Sequence, residues 1–203
     1  MFISVVLLHL IKRGSTAIVL YVFQSALIAL LLILSSFDHP TFLLGCAIVA
    51  TIAVKMIAAP YFFSSLLKKH NLKFLVGNYF NVPVTLLIIT ALAALTRAHI
   101  FKDLALLGVL HADFLLIPFA TILVSLFLII NGRGALSQML GILSLENGIV
   151  SFALFAGLEQ NPGFQLGITI NIFIWIMMVS VLASLIFKHH GSLDVSAMKR
   201  LIE

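Results

Sequence analysis

Three ionisable side chains lie inside long apolar stretches of the chain: Lys55, Asp113 and Glu146. A charged group at the centre of a lipid bilayer costs about 2.5–3.5 kcal/mol on insertion scales, so each of them must face protein or water. Amines and carboxylates that are buried in this way can exchange protons near neutral pH, which makes all three candidates for a proton relay. The alternative is a paired charge that only holds helices together. We favour that alternative for Asp113, which lies nearer a helix end.

Counting residues from the predicted helix ends places Lys55 and Glu146 near the bilayer midplane, and Asp113 and Asn171 in its outer half. This depth permits a Lys55–Glu146 pair or a short polar relay. His111 is a further relay candidate, because it precedes Asp113 on the same segment. The sequence does not tell which helices are neighbours.

Lys55 and Asp113 share a local pattern: Pro60 follows Lys55 by five residues, and Pro118 follows Asp113 by five residues. Proline lacks the backbone donor and clashes one turn back, so carbonyl groups near the charge lose their partners. Such breaks line ion paths in transporters. An ordinary proline kink is the alternative.

Small residues recur along the stretch that carries Glu146, GALSQMLGILSLENGIVSFALFAGL at residues 134–158. They follow one another at spacings of 4, 3, 4 and 3: Ser137, Gly141, Ser144, Gly148 and Ser151. Such a stripe is suited to close helix contact, although glycine and serine are also common in membrane helices. At about 100° per residue, Glu146 points almost opposite the stripe. Both faces of this helix should therefore be covered by protein, either by this chain or by a neighbouring subunit.

The composition identifies the kind of protein. Of 203 residues, 62% are hydrophobic and 9% charged, and the mean hydropathy is +1.22, which excludes a soluble globular domain. The net charge of +5 does not indicate nucleic acid, because most basic residues lie in short loops between apolar segments. No metal site, cofactor motif or catalytic triad is predicted, and the placement of the histidines does not favour a shared haem.

Cutting the sequence at polar, glycine and proline clusters gives seven apolar segments: 2–11, 16–36, 41–67, 82–96, 104–130, 134–158 and 164–187. All but the first and fourth reach the length of about 20 residues that a helix needs to cross a bilayer. The strands of a membrane β-barrel would show alternating apolar and polar residues, and this sequence lacks that pattern. We predict an all-α polytopic membrane protein that forms one domain over residues 1–203. It has about seven transmembrane helices, the first of them short.

The basic residues predict the orientation. With seven crossings, nine Lys and Arg residues fall on one side of the membrane and two, Arg97 and Lys102, on the other. The nine are Lys12, Arg13, Lys68, Lys69, Lys73, Arg133, Lys188, Lys199 and Arg200. The positive-inside rule then places the N-terminus outside and the C-terminus, with the tail 188–203, in the cytoplasm. No cleavable signal peptide is expected at residues 1–15.

Two pieces near the C-terminus carry a family resemblance, LENG at 145–148 and HGSLDVSAMKRL at 190–201. With them, residues 131–203 resemble the C-terminal half of hydrogenase-4 component E. The helix pair 134–187 is more distantly similar to the small K subunit of respiratory complex I. Upstream, VKMIAAP at 54–60 is similar to the family's lysine and proline helix, and HADFLL at 111–116 to its histidine-containing helix.

The resemblance implies a non-catalytic membrane subunit of a complex I-like hydrogenase or formate hydrogenlyase, in a bacterial or archaeal cytoplasmic (inner) membrane. It implies as partners antiporter-like membrane subunits and the subunit that anchors the hydrophilic arm, with the tail docked on a partner. In the K subunit, acids on two adjacent helices belong to a proton-transfer chain. Glu146 resembles the first of them, displaced by about one helical turn, and Asn171 stands at the position of the second. No cofactor is implied for this chain.

Two other functions stay open. A purely structural membrane scaffold is favoured by the missing second acid. An independent small-ion or solute carrier would need a substrate cavity inside this chain alone.

The orientation leads to a testable prediction. A single cysteine placed at Ser192 should be labelled by a membrane-impermeant thiol reagent only after the cells are opened, whereas one at His99 should be labelled in intact cells. The reason is the nine-to-two distribution of basic residues. Labelling of the Ser192 position from outside intact cells would contradict the predicted topology.

Overall fold

The computed structural model of the chain describes residues 1–38, 40, 42–69, 78–98 and 112–156, together with six positions further on: Gly167, Ile170, Phe173, Met177, Val181 and Ser184. The helices are α1 (Phe2–Leu10), α2 (Gly14–Asp38), α3 (Phe42–Thr51), a π-helical segment (Ile52–Ala58), α4 (Ala59–Lys69), α5 (Val82–Leu95), α6 (Ala112–Asn131) and α7 (Ala135–Phe155). These segments contain no strand; Asn78 and Gly132 form one isolated antiparallel bridge. The all-α prediction is confirmed for this part of the chain.

Three of the described helices are long and apolar enough to cross a membrane. They run over Gly14–Phe37, Leu44–Ser65 and Leu136–Phe155. Two shorter apolar helices cover Val82–Leu95 and Leu115–Asn131. Helices suit this environment because each one satisfies its own backbone hydrogen bonds where no water is present. The predicted segment 164–187 and the first part of 104–130 lie largely outside the described residues.

The second of these spans changes its helical register in the middle. α3, the π-helical segment and α4 follow one another without a break, and the backbone N–H of Ala59 donates to the carbonyl of Val54, five residues back. Pro60 comes next and has no N–H to donate, and its ring crowds the carbonyl one turn earlier. A widened turn before the proline relieves that crowding, and Lys55 lies inside it. Pro118, by contrast, lies inside α6 without such a change of register.

α6 and α7 run antiparallel and pack closely, joined by a turn at 132–134. A methyl group built on Gly141 would come within 2.7 Å of Ile129 Cγ1 and 3.0 Å of the Ile129 backbone nitrogen. On Gly148 it would lie 3.0 Å from Ile122 Cγ1. Glycine at these two positions of α7 therefore allows the α6 backbone to approach.

The buried apolar side chains form three clusters. The first joins α1, α2, α4, α6 and α7: Leu8, Ala17, Ile18, Tyr21, Ala59, Phe63, Leu128, Leu136, Met139, Leu140 and Leu143. The second joins α2, α3 and α7: Ile28, Leu32, Leu44, Val150 and Leu154. The third joins α1, α5 and α6: Val5, Ile89, Val124 and Phe127. We call the first two the lower and the upper cluster.

The glycine contacts predict the effect of one added methyl group. Gly141→Ala should lower the free energy of unfolding by about 1–3 kcal/mol, because the new Cβ meets Ile129 side-chain and backbone atoms that are held in the helix pair. Gly45→Ala is the matched control, since nothing lies within 4 Å of a Cβ there. It should be neutral or stabilising, as alanine favours a helix over glycine. Denaturation in detergent micelles measures both, and equal effects would contradict the close contact.

Candidate functional site

The two charged residues that the sequence places near mid-membrane are in direct contact. Lys55 Nζ lies 2.6 Å from Glu146 Oε1, and the two side chains are only 1% and 11% exposed. Lys55 comes from the π-helical segment and Glu146 from the middle of α7. With a rise of about 1.5 Å per residue, Lys55 lies about 21 Å from the end of α4 at Lys69, and Glu146 about 16 Å from the start of α7 at Ala135. Both groups are thus well away from the helix ends, near the middle of a bilayer core about 30 Å thick.

Asn147 adds a second acceptor for the lysine. Lys55 Nζ donates to Asn147 Oδ1 at 3.0 Å, and Asn147 Nδ2 donates to Ser25 Oγ at 3.4 Å. Asn147 and Ser25 are both fully buried. The Asn147 amide thus connects Lys55 to α2 as well as to α7. The ammonium group has two oxygen partners, Glu146 Oε1 and Asn147 Oδ1, on adjacent residues of α7.

The same depth holds further polar groups. Ser144 Oγ donates to Gln24 Oε1 at 2.9 Å, and both residues are fully buried. Tyr21, also fully buried, lies close enough to Glu146 for an electrostatic interaction. We call the whole set the polar layer; its members are Tyr21, Gln24, Ser25, Lys55, Ser144, Glu146 and Asn147.

The polar layer lies between the lower and the upper cluster. On α2, Ala17 and Ile18 precede it and Ile28 follows it, and on α7 Leu143 precedes it and Val150 follows it. Apart from Tyr21, which also belongs to the polar layer, neither cluster contains a polar side chain. Apolar side chains thus pack on both sides of the polar layer along α2 and α7, and the buried polar residues Thr51, Ser137 and Ser151 lie at the same levels as these clusters. Between such apolar side chains water does not weaken the electrostatic contacts.

This geometry supports one kind of chemistry. A heavy-atom separation of 2.6 Å is short enough for a proton to pass from Lys55 Nζ to Glu146 Oε1, which converts an ion pair into a neutral amine and a carboxylic acid. Among the described residues, Oε1 of Glu146 is in ion contact with Lys55 without a well-aligned hydrogen bond, and Oε2 has no polar partner.

The predicted packing residues of α7 are all buried, but they do not all face one helix. Gly141 and Gly148 contact α6, as described above, whereas Ser144 bonds to Gln24 on α2. Ser137 and Ser151 are 1% and 3% exposed. α7 is thus covered by α6 on one side and by α2 and the π-helical segment on the other.

The remaining predicted relay groups lie outside what the structure describes. Asp113 lies in the first turn of α6, but its side chain is outside the described residues. His111 and Asn171 also lie outside them. No group of three or more His, Cys, Asp or Glu side chains that could hold a metal ion occurs in the part of the chain that is described.

Of the neutral members of the polar layer, sequence reasoning named only Ser144, and that as a packing residue. Gln24 and Ser25 interrupt an otherwise apolar stretch near its middle, and Asn147 follows Glu146 directly. A buried amide in a membrane helix needs a partner, so these positions carried a usable signal. The contact of Ser25 with Asn147 joins residues 122 positions apart, which no local pattern reveals.

Comparison of the chain with models of protein families, with curated proteins and with solved structures gave no match. The function is therefore inferred from the polar layer, together with the resemblance of residues 131–203.

The buried pair predicts a strong energetic coupling. Lys55→Met and Glu146→Met should each lower the free energy of unfolding by about 3–5 kcal/mol, because each leaves one polar partner buried and alone. The double variant should recover most of that loss, since both groups are then apolar and of similar size. Lys12→Met, at an exposed position, is the control and should change little. Additive losses in the double variant would show that the two groups do not interact.

Proposed function

We propose that this chain is a non-catalytic subunit in the membrane arm of a complex I-like hydrogenase or formate hydrogenlyase, and that Glu146 and Lys55 form its proton-relay centre. The observation that carries the proposal is the 2.6 Å contact between these two groups, buried at the middle of the bundle. A structural function needs only that the charges are paired. The open Oε2 atom of Glu146 gives the pair a second position for a proton.

The enclosure of the polar layer favours a subunit over an independent carrier. A carrier needs a polar route from each membrane surface to its site. In the described residues, the lower and upper clusters pack on either side of the polar layer, and no continuous row of polar side chains leads from it to a surface in the proposed arrangement. Proton exchange with Glu146 must then involve groups that lie beside the bundle, and partner subunits provide such groups.

The finer features of the proposal follow from the sequence. The assembly lies in a bacterial or archaeal cytoplasmic membrane, and the chain crosses it about seven times with its C-terminal tail in the cytoplasm. Its neighbours are antiporter-like membrane subunits and the subunit that anchors the hydrophilic arm. The basic residues of the predicted loops support this orientation, and the resemblance of residues 131–203 supports these neighbours.

A structural scaffold is the second candidate. The same contacts that surround Lys55 also join α2, the π-helical segment and α7 at one depth. Asn171 supports this candidate too, because an amide stands where the resemblance implies a second acid.

Glu146→Gln separates these functions. Glutamine keeps the size and most hydrogen-bonding capacity of the side chain but cannot take up or release a proton at neutral pH. We expect the variant chain to co-purify with a hydrogenase-like arm in normal yield and to lose proton translocation coupled to turnover in membrane vesicles. Thr90→Val is the control, because Thr90 is exposed on α5 and its hydroxyl bonds only within its own helix.

Three outcomes decide between the candidates. Normal assembly with unchanged proton translocation would support the scaffold. Transport by the chain purified alone would support the carrier. Loss of coupled translocation in Glu146→Gln would support the relay. Asn171→Asp, made in the otherwise unchanged chain, should then increase proton translocation, since the aspartate supplies the second acid.

A further inference from the structure

Several helix ends that carry basic residues meet at one end of the bundle. A Cβ on Gly14, at the start of α2, would lie 3.1 Å from Leu136 Cδ2 on α7 and 3.3 Å from Leu67 Cδ2 on α4. Asn78 Nδ2 donates to the carbonyl of His9 at 2.5 Å, which places the segment before α5 beside the end of α1. We call this the basic end; it carries Lys12, Arg13 and Arg133, all exposed.

Arg133 is held on a rigid support at this end. Its guanidinium carbon lies 5.0 Å from the centre of the Tyr79 ring. The backbone N–H of Tyr79 donates to the carbonyl of Asn131 at 2.9 Å, and that of Phe80 to Asn131 Oδ1 at 3.0 Å. The stacked guanidinium keeps its N–H donors free to point outwards in a fixed orientation.

The described residues around the basic end carry no acidic side chain. No Asp or Glu occurs in residues 1–14, 65–69, 78–85 or 128–138, which form this end. Lys12, Arg13 and Arg133 make no ion pair with another described residue. The aromatic residues beside them are well exposed, Tyr79 at 41% and Phe80 at 46%. A tyrosine and basic residues at the end of apolar helices are typical of the membrane–water interface.

We propose that the basic end binds the phosphate of an anionic phospholipid headgroup, with Arg133 as the main contact. Arginine can form two parallel hydrogen bonds to one phosphate group, and Lys12 and Arg13 add to the attraction. A lipid fits better than a soluble anion, because an exposed apolar face continues directly from Tyr79 along α5, with Val82, Val84, Leu86 and Leu87 between 38% and 69% exposed. The acyl chains lie along this face of α5 while the phosphate stays at Arg133.

Native mass spectrometry of the full-length chain, delipidated in detergent and titrated with phosphatidylglycerol or phosphatidylcholine, tests the proposal. The unmodified chain should bind phosphatidylglycerol more tightly. Arg133→Gln should weaken that binding about fivefold, and Lys12→Gln with Arg13→Gln should weaken it further. Arg133→Lys keeps the charge but loses the two parallel hydrogen bonds, so it should weaken the binding less than Arg133→Gln does. Arg97→Gln removes an exposed charge at the opposite end of α5 and should have no effect.

Several results would overturn the proposal. Equal affinity for the two lipids, or an equal loss in Arg97→Gln and Arg133→Gln, would show that the site is not at the basic end. Displacement of the lipid by excess inorganic phosphate would indicate a site for a free anion. Loss of a co-purifying protein in Arg133→Gln, without any lipid preference in the unmodified chain, would indicate a protein partner. Circular dichroism of each variant establishes that the helices are intact, and Arg133→Lys separates loss of charge from loss of fold.

Discussion

The arrangement of the helices depends on one requirement, the compensation of the Lys55 amine at the middle of the bundle. A buried ammonium group is tolerated only where an opposite charge and further acceptors surround it. Glu146 and Asn147 supply these from one turn of α7. Asn147 also donates a hydrogen bond to Ser25, which connects α2 to the same group of side chains. Three stretches of chain that are far apart in sequence are thereby fixed at one depth.

The two sides of α7 use different physical interactions. Towards α6, Gly141 and Gly148 allow the backbones to approach, and the stabilisation comes from van der Waals contact, which is the main attraction available between helices in lipid. Towards the π-helical segment, the stabilisation comes from an ion pair and hydrogen bonds. Close packing on one side limits the movement of α7, so the geometry on the other side can be held within hydrogen-bonding distance.

Much of this fold could be predicted because apolar helices are continuous in sequence. The predicted segments 16–36 and 82–96 correspond closely to α2 and α5. Pro60 predicted a disturbed hydrogen-bond pattern near Lys55, but the π-helical form of that disturbance was not predicted, because hydropathy says nothing about which carbonyl each N–H reaches. The proline itself was the available signal. Charged members of the site stood out because they are rare in such segments, whereas Gln24 and Ser25 did not, since their role depends on a neighbour that only the tertiary structure supplies.

The environment of Glu146 bears on whether its pairing with Lys55 is only structural. A polar atom that is buried without a partner costs free energy, so a contact selected for stability alone would be expected to satisfy both oxygens of the carboxylate. Oε1 contacts the lysine at 2.6 Å, but Oε2 has no hydrogen-bond partner among the described residues. The contacts of Lys55 with Glu146 and Asn147 therefore fix α7 against the π-helical segment, while Oε2 of Glu146 stays outside that contact.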